Sequence, residues 1–153
     1  MELNERVEAI EFRFALEDLI LRYQQAADRH DWTAWAACFT EDAIYEIPSS
    51  FGVMRGREAI HDQCKADMHD AFEKMQHIIV NQGFERSGTE RAKGQANFVF
   101  AATPHARRPG KNYVCGGRYR WEFRLCESIW LISRASAEYL WHIGNATGGA
   151  FSR

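Results

Sequence analysis

Apolar residues in the first third of the chain recur at helical spacing. Phe12, Leu16, Leu19, Ile20, Tyr23, Ala26 and Ala27 fall on one stripe, as in an amphipathic helix that turns one face to a core. The pattern breaks at "DRHDW" (28–32). Asp31 has the side chain of an N-cap for a short second helix carrying Trp32, Trp35 and Phe39. "AIYEI" at 43–47 is short, β-branched and aromatic, and stops at Pro48, so it reads as a strand. Residues 48–57, with Gly52 and Gly56, read as a loop, and a third helix is expected from Glu58 to about Lys74.

Beyond that point the period shortens to two. A strand is expected from His77 through "HIIVNQGFE", a turn at 87–94, and a strand over "QANFVFAATPH". The turn "ARRPGKN" leads to the long strand "YVCGGRYRWEFRL", and "CES" makes a tight turn into "IWLISRASAEYLWHI". The alternation is clearest in the third strand. Tyr113, Cys115, Gly117, Tyr119, Trp121, Phe123 and Leu125 share one face, and Arg118, Arg120, Glu122 and Arg124 share the other, which should be wet. Helices followed by a run of antiparallel strands define an α+β layout, with N-terminal helices packed on the concave face of a curved, mostly antiparallel sheet. Such a sheet with helices across its mouth encloses a cone-shaped cavity suited to a small molecule. Residues 1–153 show no repeat, linker or low-complexity segment and read as one domain.

Composition narrows the function. Hydrophobic residues make up 46% and aromatics 13%, enough for a sizeable core. A net charge of −2 gives no electrostatic case for nucleic acid or an anionic membrane surface. The basic cluster "HARRPGK" at 105–111 reads as a solvated turn. No apolar run approaches the ~20 residues that span a bilayer, and "MELNERVEAIEFR" lacks the apolar core of a signal peptide. A cytoplasmic location is therefore expected, where Cys38, Cys64, Cys115 and Cys126 stay free thiols. The glycosylation acceptor Asn145-Ala146-Thr147 carries no meaning there.

The chain has no H-E-x-x-H, no phosphate-binding G-K-S/T loop, no G-x-G-x-x-G after a strand and no G-x-S-x-G elbow. His61 and Cys64 are spaced i, i+3, but His69 falls off their face, so no metal site is expected. His77 opens the first long strand, His105 closes the next, and Tyr119 lies on the apolar face of the third. Taken alone, Tyr23 and Tyr119 read as core aromatics. Asp28 stands about 140° from Tyr23 on a helical wheel, at the edge of the stripe, facing water or capping the next turn.

The blocks "RYQQAADRHDWTAWAACFTEDAIYEI", "GREAI" (56–60), "MQHIIVNQGFE" and the strand with Trp130 and Ile132 occur in an order that resembles the nuclear transport factor 2-like superfamily, in its SnoaL-like branch. That resemblance covers nearly the whole chain and implies the cystatin-like fold. Asp28, His77 and His105 fall where scytalone dehydratase has its pocket aspartate and two catalytic histidines. Tyr23 matches a tyrosine five residues before the aspartate of bile acid 7α-dehydratase. Asp28 with His77 also matches the aspartate–histidine pair of hexachlorocyclohexane dehydrochlorinase. Ala27, Gly117 and Tyr119 depart from scytalone dehydratase, which has tyrosine, serine and asparagine there. Tyr139 stands where bile acid dehydratase uses an arginine.

The resemblance thus implies a cofactor-independent lyase, most simply a dehydratase. Asp28, His77, His105 and Tyr23 would be catalytic, and Tyr45, Tyr119, Trp121 and Tyr139 would bind an aromatic or polycyclic hydroxy-carbonyl substrate. An isomerase or polyketide cyclase using the same base is one alternative. Another is a non-catalytic β subunit of an aromatic-ring-hydroxylating dioxygenase, which shares the fold. Relatives assemble through the outer sheet face, here bearing Arg118, Arg120 and Arg124, so a homo-oligomer is expected, trimer or dimer.

Overall fold

The computed structural model describes residues 2–47, 52–69, 71–105 and 111–144. Most of the basic turn (106–110) and the Asn145-Ala146-Thr147 acceptor lie outside them. Helix α1 (Leu3–Asp28) buries Leu16, Leu19, Ile20, Tyr23, Ala26 and Ala27, the stripe predicted from spacing. It stops through backbone geometry. His30 adopts φ 58°, the His30 N–H donates to the Ala27 carbonyl at 3.0 Å, and the Asp31 N–H donates to the Ala26 carbonyl at 2.9 Å. Asp31 then accepts from the Ala34 N–H at 3.0 Å and caps α2 (Trp32–Ala36), as its residue type predicted.

Strand β1 (Phe39–Ile47) begins four residues earlier than "AIYEI", because Phe39 and Thr40 are themselves buried. The segment expected to be loop contains strand β2 (Gly52–Arg55), which pairs with β1 and buries Met54. Helix α3 (Arg57–Cys64) is shorter than expected. It passes into a π turn (Lys65–His69), and strand β3 (Phe72–Arg86) starts at Phe72, five residues before His77. Phe72 and Met75 point into the core from that strand, and pairing with Pro104 and Ala102 satisfies more of the backbone than a continued helix would.

Strands β4 (Arg91–Pro104), β5 (Tyr113–Cys126) and β6 (Ile129–Ile143) complete a six-stranded sheet in the order β2-β1-β6-β5-β4-β3. Among the described strands, only β1 and β6 run parallel. β4 starts inside the expected turn, because Gly94 serves packing. A Cβ there would lie 2.8 Å from the Phe84 ring and 2.9 Å from that of Phe123. Register shifts between Val80 and Gly83 and between Gly116 and Gly117 bend the strands. The sheet curves without closing, α1 packs against its concave face, and the predicted β5 alternation holds. Among the described residues, no helix is long and apolar enough to cross a membrane.

Candidate active site

Two elements place the central pair. Asp28 is the last residue of α1, and His77 lies on β3, the edge strand of the sheet. The Asp28 carboxylate accepts from the His77 backbone N–H at 2.9 and 3.1 Å, filling an edge-strand donor that none of the described strands takes. The same carboxylate meets His77 Nδ1 at 2.6 Å. An ionised carboxylate only accepts, so Nδ1 carries the hydrogen and donates it. In a neutral ring held that way, Nε2 keeps the lone pair. The histidine side chain is 6% exposed and the aspartate 24%, so Asp28 reaches the ring from the solvent side. A helix C-terminus is a poor place for a carboxylate, since the carbonyl ends carry partial negative charge. The donors from His77 offset that cost.

The His77 ring sits against Phe100, its partner across β3 and β4, with centroids 4.7 Å apart. It lines a partly open cavity with Tyr23, Trp35, Tyr45, Tyr119 and Tyr139. The Tyr23 and Tyr45 hydroxyls are 3.0 Å apart, and the Tyr119 ring stands edge-on to that of Tyr23 with centroids 6.2 Å apart. Burial pushes the Tyr23 and Tyr45 phenols well above their usual value and that of Tyr119 up to about 12. Tyr139 is raised by the same cause. These hydroxyls therefore stay protonated and can donate. The free space is about 30 Å³, room for a water, so a ring-sized guest must displace lining side chains. Met68, an unbranched and deformable side chain, is one of them.

The residues singled out from sequence divide accordingly. Asp28, His77, Tyr23, Tyr45, Tyr119 and Tyr139 come together. Trp121 stands behind Tyr119, its ring stacked at 5.2 Å, outside the lining. His105 follows Pro104, which pairs with Phe72, and His77 lies five positions along β3 from there. His105 lies beyond the end of β4 and does not line the cavity. Trp32, Trp35, Cys64, Phe98 and Phe100 line it without having been singled out. The i, i+2 spacing of Phe98 and Phe100 opposite His77 was the available signal. Among the described residues, no three His, Cys, Asp or Glu side chains cluster as a metal site would require.

Residues 8–136 match the SnoaL-like domain family, and the chain belongs to it. Solved structures agree on the fold. LinA superposes with a TM-score of 0.82 at 17% identity, over 92% of this chain and 94% of its own. A scytalone dehydratase candidate from Novosphingobium aromaticivorans gives 0.82 at 18%, over 95% of each chain. An aromatic ring hydroxylase candidate from the same organism gives 0.80 at 24%, over 89% of this chain and 94% of its own. None of the curated proteins matches significantly.

Proposed function

We propose that this protein is a cofactor-independent lyase, of dehydratase type, acting on a cyclic hydroxy-carbonyl compound with His77 as the base. The observation that carries this reading is the 2.6 Å contact that fixes His77 Nδ1 on Asp28 inside an aromatic cavity. Nε2 takes a proton from the carbon next to the substrate carbonyl. Asp28 stabilises the positive charge that develops on the imidazole and holds the ring in one orientation. A phenol from the Tyr23–Tyr45–Tyr119 group donates to the carbonyl oxygen as enolate charge builds. The hydroxyl on the next carbon then leaves as water, its proton supplied by the imidazolium or a neighbouring phenol. The flat aromatic lining suits a ring-shaped substrate. A buried, oriented histidine supports catalysis over a packing subunit, which needs no such group. An isomerase or cyclase would share the first step and differ only in where the proton returns.

The test is a panel of β-hydroxy cyclic ketones incubated in D2O and followed by NMR. The reading expects deuterium exchange or water loss with at least one member, and loss of that activity in His77→Ala. Activity that survives His77→Ala would overturn it.

A further inference from the structure

Helix α1 carries a second apolar stripe that nothing in the described fold covers. Leu3, Val7, Ile10, Phe14 and Leu21 are 69, 43, 52, 60 and 44% exposed. At ~100° per residue they occupy a sector of about 60°, roughly 170° from the stripe that faces the core. Residues 2–11 are all exposed, so the first turns of α1 project roughly 14 Å past the packed body. A helical segment that short is marginal in water on propensity alone. Yet its start is capped, with Glu2 and Glu5 each accepting from the other's backbone N–H.

The stripe has the 3–4 spacing of a coiled-coil seam. Val7, Phe14 and Leu21 take a positions, Leu3 and Ile10 take d positions, and Glu17 at the next d ends the continuous seam. The flanking charges select a partner and a direction. Arg6 and Arg13 occupy g, and Glu11 and Asp18 occupy e. In a parallel, in-register pair each g residue faces the e residue five positions on in the other helix. Arg6 then meets Glu11 of the second copy and Arg13 meets its Asp18, and symmetry repeats both pairs. In an antiparallel pair g faces g and e faces e, which brings like charges together. Arg13 already bonds Glu17 of its own helix at 2.6 Å through Nε, which leaves its terminal guanidinium nitrogens for Asp18 of the other copy.

We infer that α1 pairs in parallel and in register with α1 of a second copy of this chain. The core-facing stripes point away from the seam, so the two bodies sit on opposite sides of it. This surface is distinct from the outer face of the sheet, and pairing through it does not depend on the catalytic reading.

Sedimentation equilibrium of the full chain, with cross-linking, tests the pairing. Leu3→Cys in a Cys126→Ser background should give a covalent dimer on mild oxidation, since only a parallel pair brings the two positions 3 together. Val7→Glu with Ile10→Glu should raise the dissociation constant at least tenfold. Arg6→Glu with Arg13→Glu, and Glu11→Arg with Asp18→Arg, should each weaken association, and mixing these two variants should restore it. The mixing experiment separates lost pairing from misfolding, because a misfolded chain is not rescued. A monomeric wild type, an association state unmoved by Val7→Glu/Ile10→Glu, no cross-link at position 3, or a mixture no tighter than its parts would each overturn the inference.

Discussion

Removing the Asp28 carboxylate strips two donors of their acceptor at once. The His77 backbone N–H loses contacts at 2.9 and 3.1 Å, and the Nδ1–H loses one at 2.6 Å. A buried donor left without an acceptor costs about 1–3 kcal/mol. The Asp28 side chain is 24% exposed, so water can enter the space it vacates, and the lower half of that range applies. Asp28→Ala should therefore destabilise the fold by about 3 kcal/mol. At ~2–4 °C per kcal/mol for a chain of this size, the melting temperature falls by about 6–12 °C. Asp28→Asn should cost about 2 kcal/mol. The amide oxygen can still accept from both donors, but the charge is gone and the amide nitrogen faces the His77 N–H. A double-mutant cycle isolates the ring contact, because His77→Ala removes the imidazole and keeps the backbone bond. The coupling from urea unfolding of Asp28→Ala, His77→Ala and the double variant should be about 1–2 kcal/mol. Coupling below about 0.3 kcal/mol would show that the ring contact contributes nothing, and the orienting role of Asp28 would fall with it.

Further outcomes follow from other parts of the molecule. His77→Ala should reduce turnover of any identified substrate by about 10²–10⁴-fold, the usual worth of a positioned base, and a change under tenfold would remove His77 from that role. All five tyrosines are raised by burial, so phenolate absorbance should stay low as pH passes 10 and rise only with unfolding. The folded state holds those protons, and those of the buried Cys38, Cys64 and Cys115 thiols, more tightly than the unfolded chain, so stability should fall as pH rises past about 9, the ordinary thiol value, and fall further above about pH 10; a rise over that range would contradict the burial. Gly94→Ala should cost about 1–3 kcal/mol through overpacking against Phe84 and Phe123. Gly83→Ala, where no heavy atom lies within 4 Å of the new Cβ, should stay within about 0.5 kcal/mol, and thermal melts of the two variants would check the contrast.

Strong periodicity made much of the fold legible. The α1 core stripe, the Asp31 cap and the β5 alternation follow from spacing and residue type, and each is present as read. Misreadings fall where tertiary pairing overrides local signals. Phe72 and Met75 continue a helical-looking segment, yet β4 recruits them into a strand. Gly94 has the appearance of a turn residue but is a contact point for two rings. The site was less legible. Helical geometry sends Asp28 to the edge of its stripe, and only the family resemblance paired it with His77, because the pairing depends on where the edge strand passes the helix end. Spacing along one strand could not show that His105 falls outside the lining of the cavity. The exposed stripe of α1 is plain in the sequence once the buried stripe is set apart from it. Before that separation the two opposite faces mask each other.

Under the proposed function, His77 presents an unprotonated Nε2 to the cavity while Nδ1–H is held by Asp28. Long-range proton–nitrogen NMR of the ring at about pH 8, where an ordinary imidazole is neutral, reads this directly without a known substrate. Resonances lost in His77→Ala assign the ring. A hydrogen on Nδ1, a bare Nε2, and loss of that tautomer preference in Asp28→Asn are expected. A ring carrying its hydrogen on Nε2 would contradict it, since no lone pair would then be available to take a proton from a bound substrate.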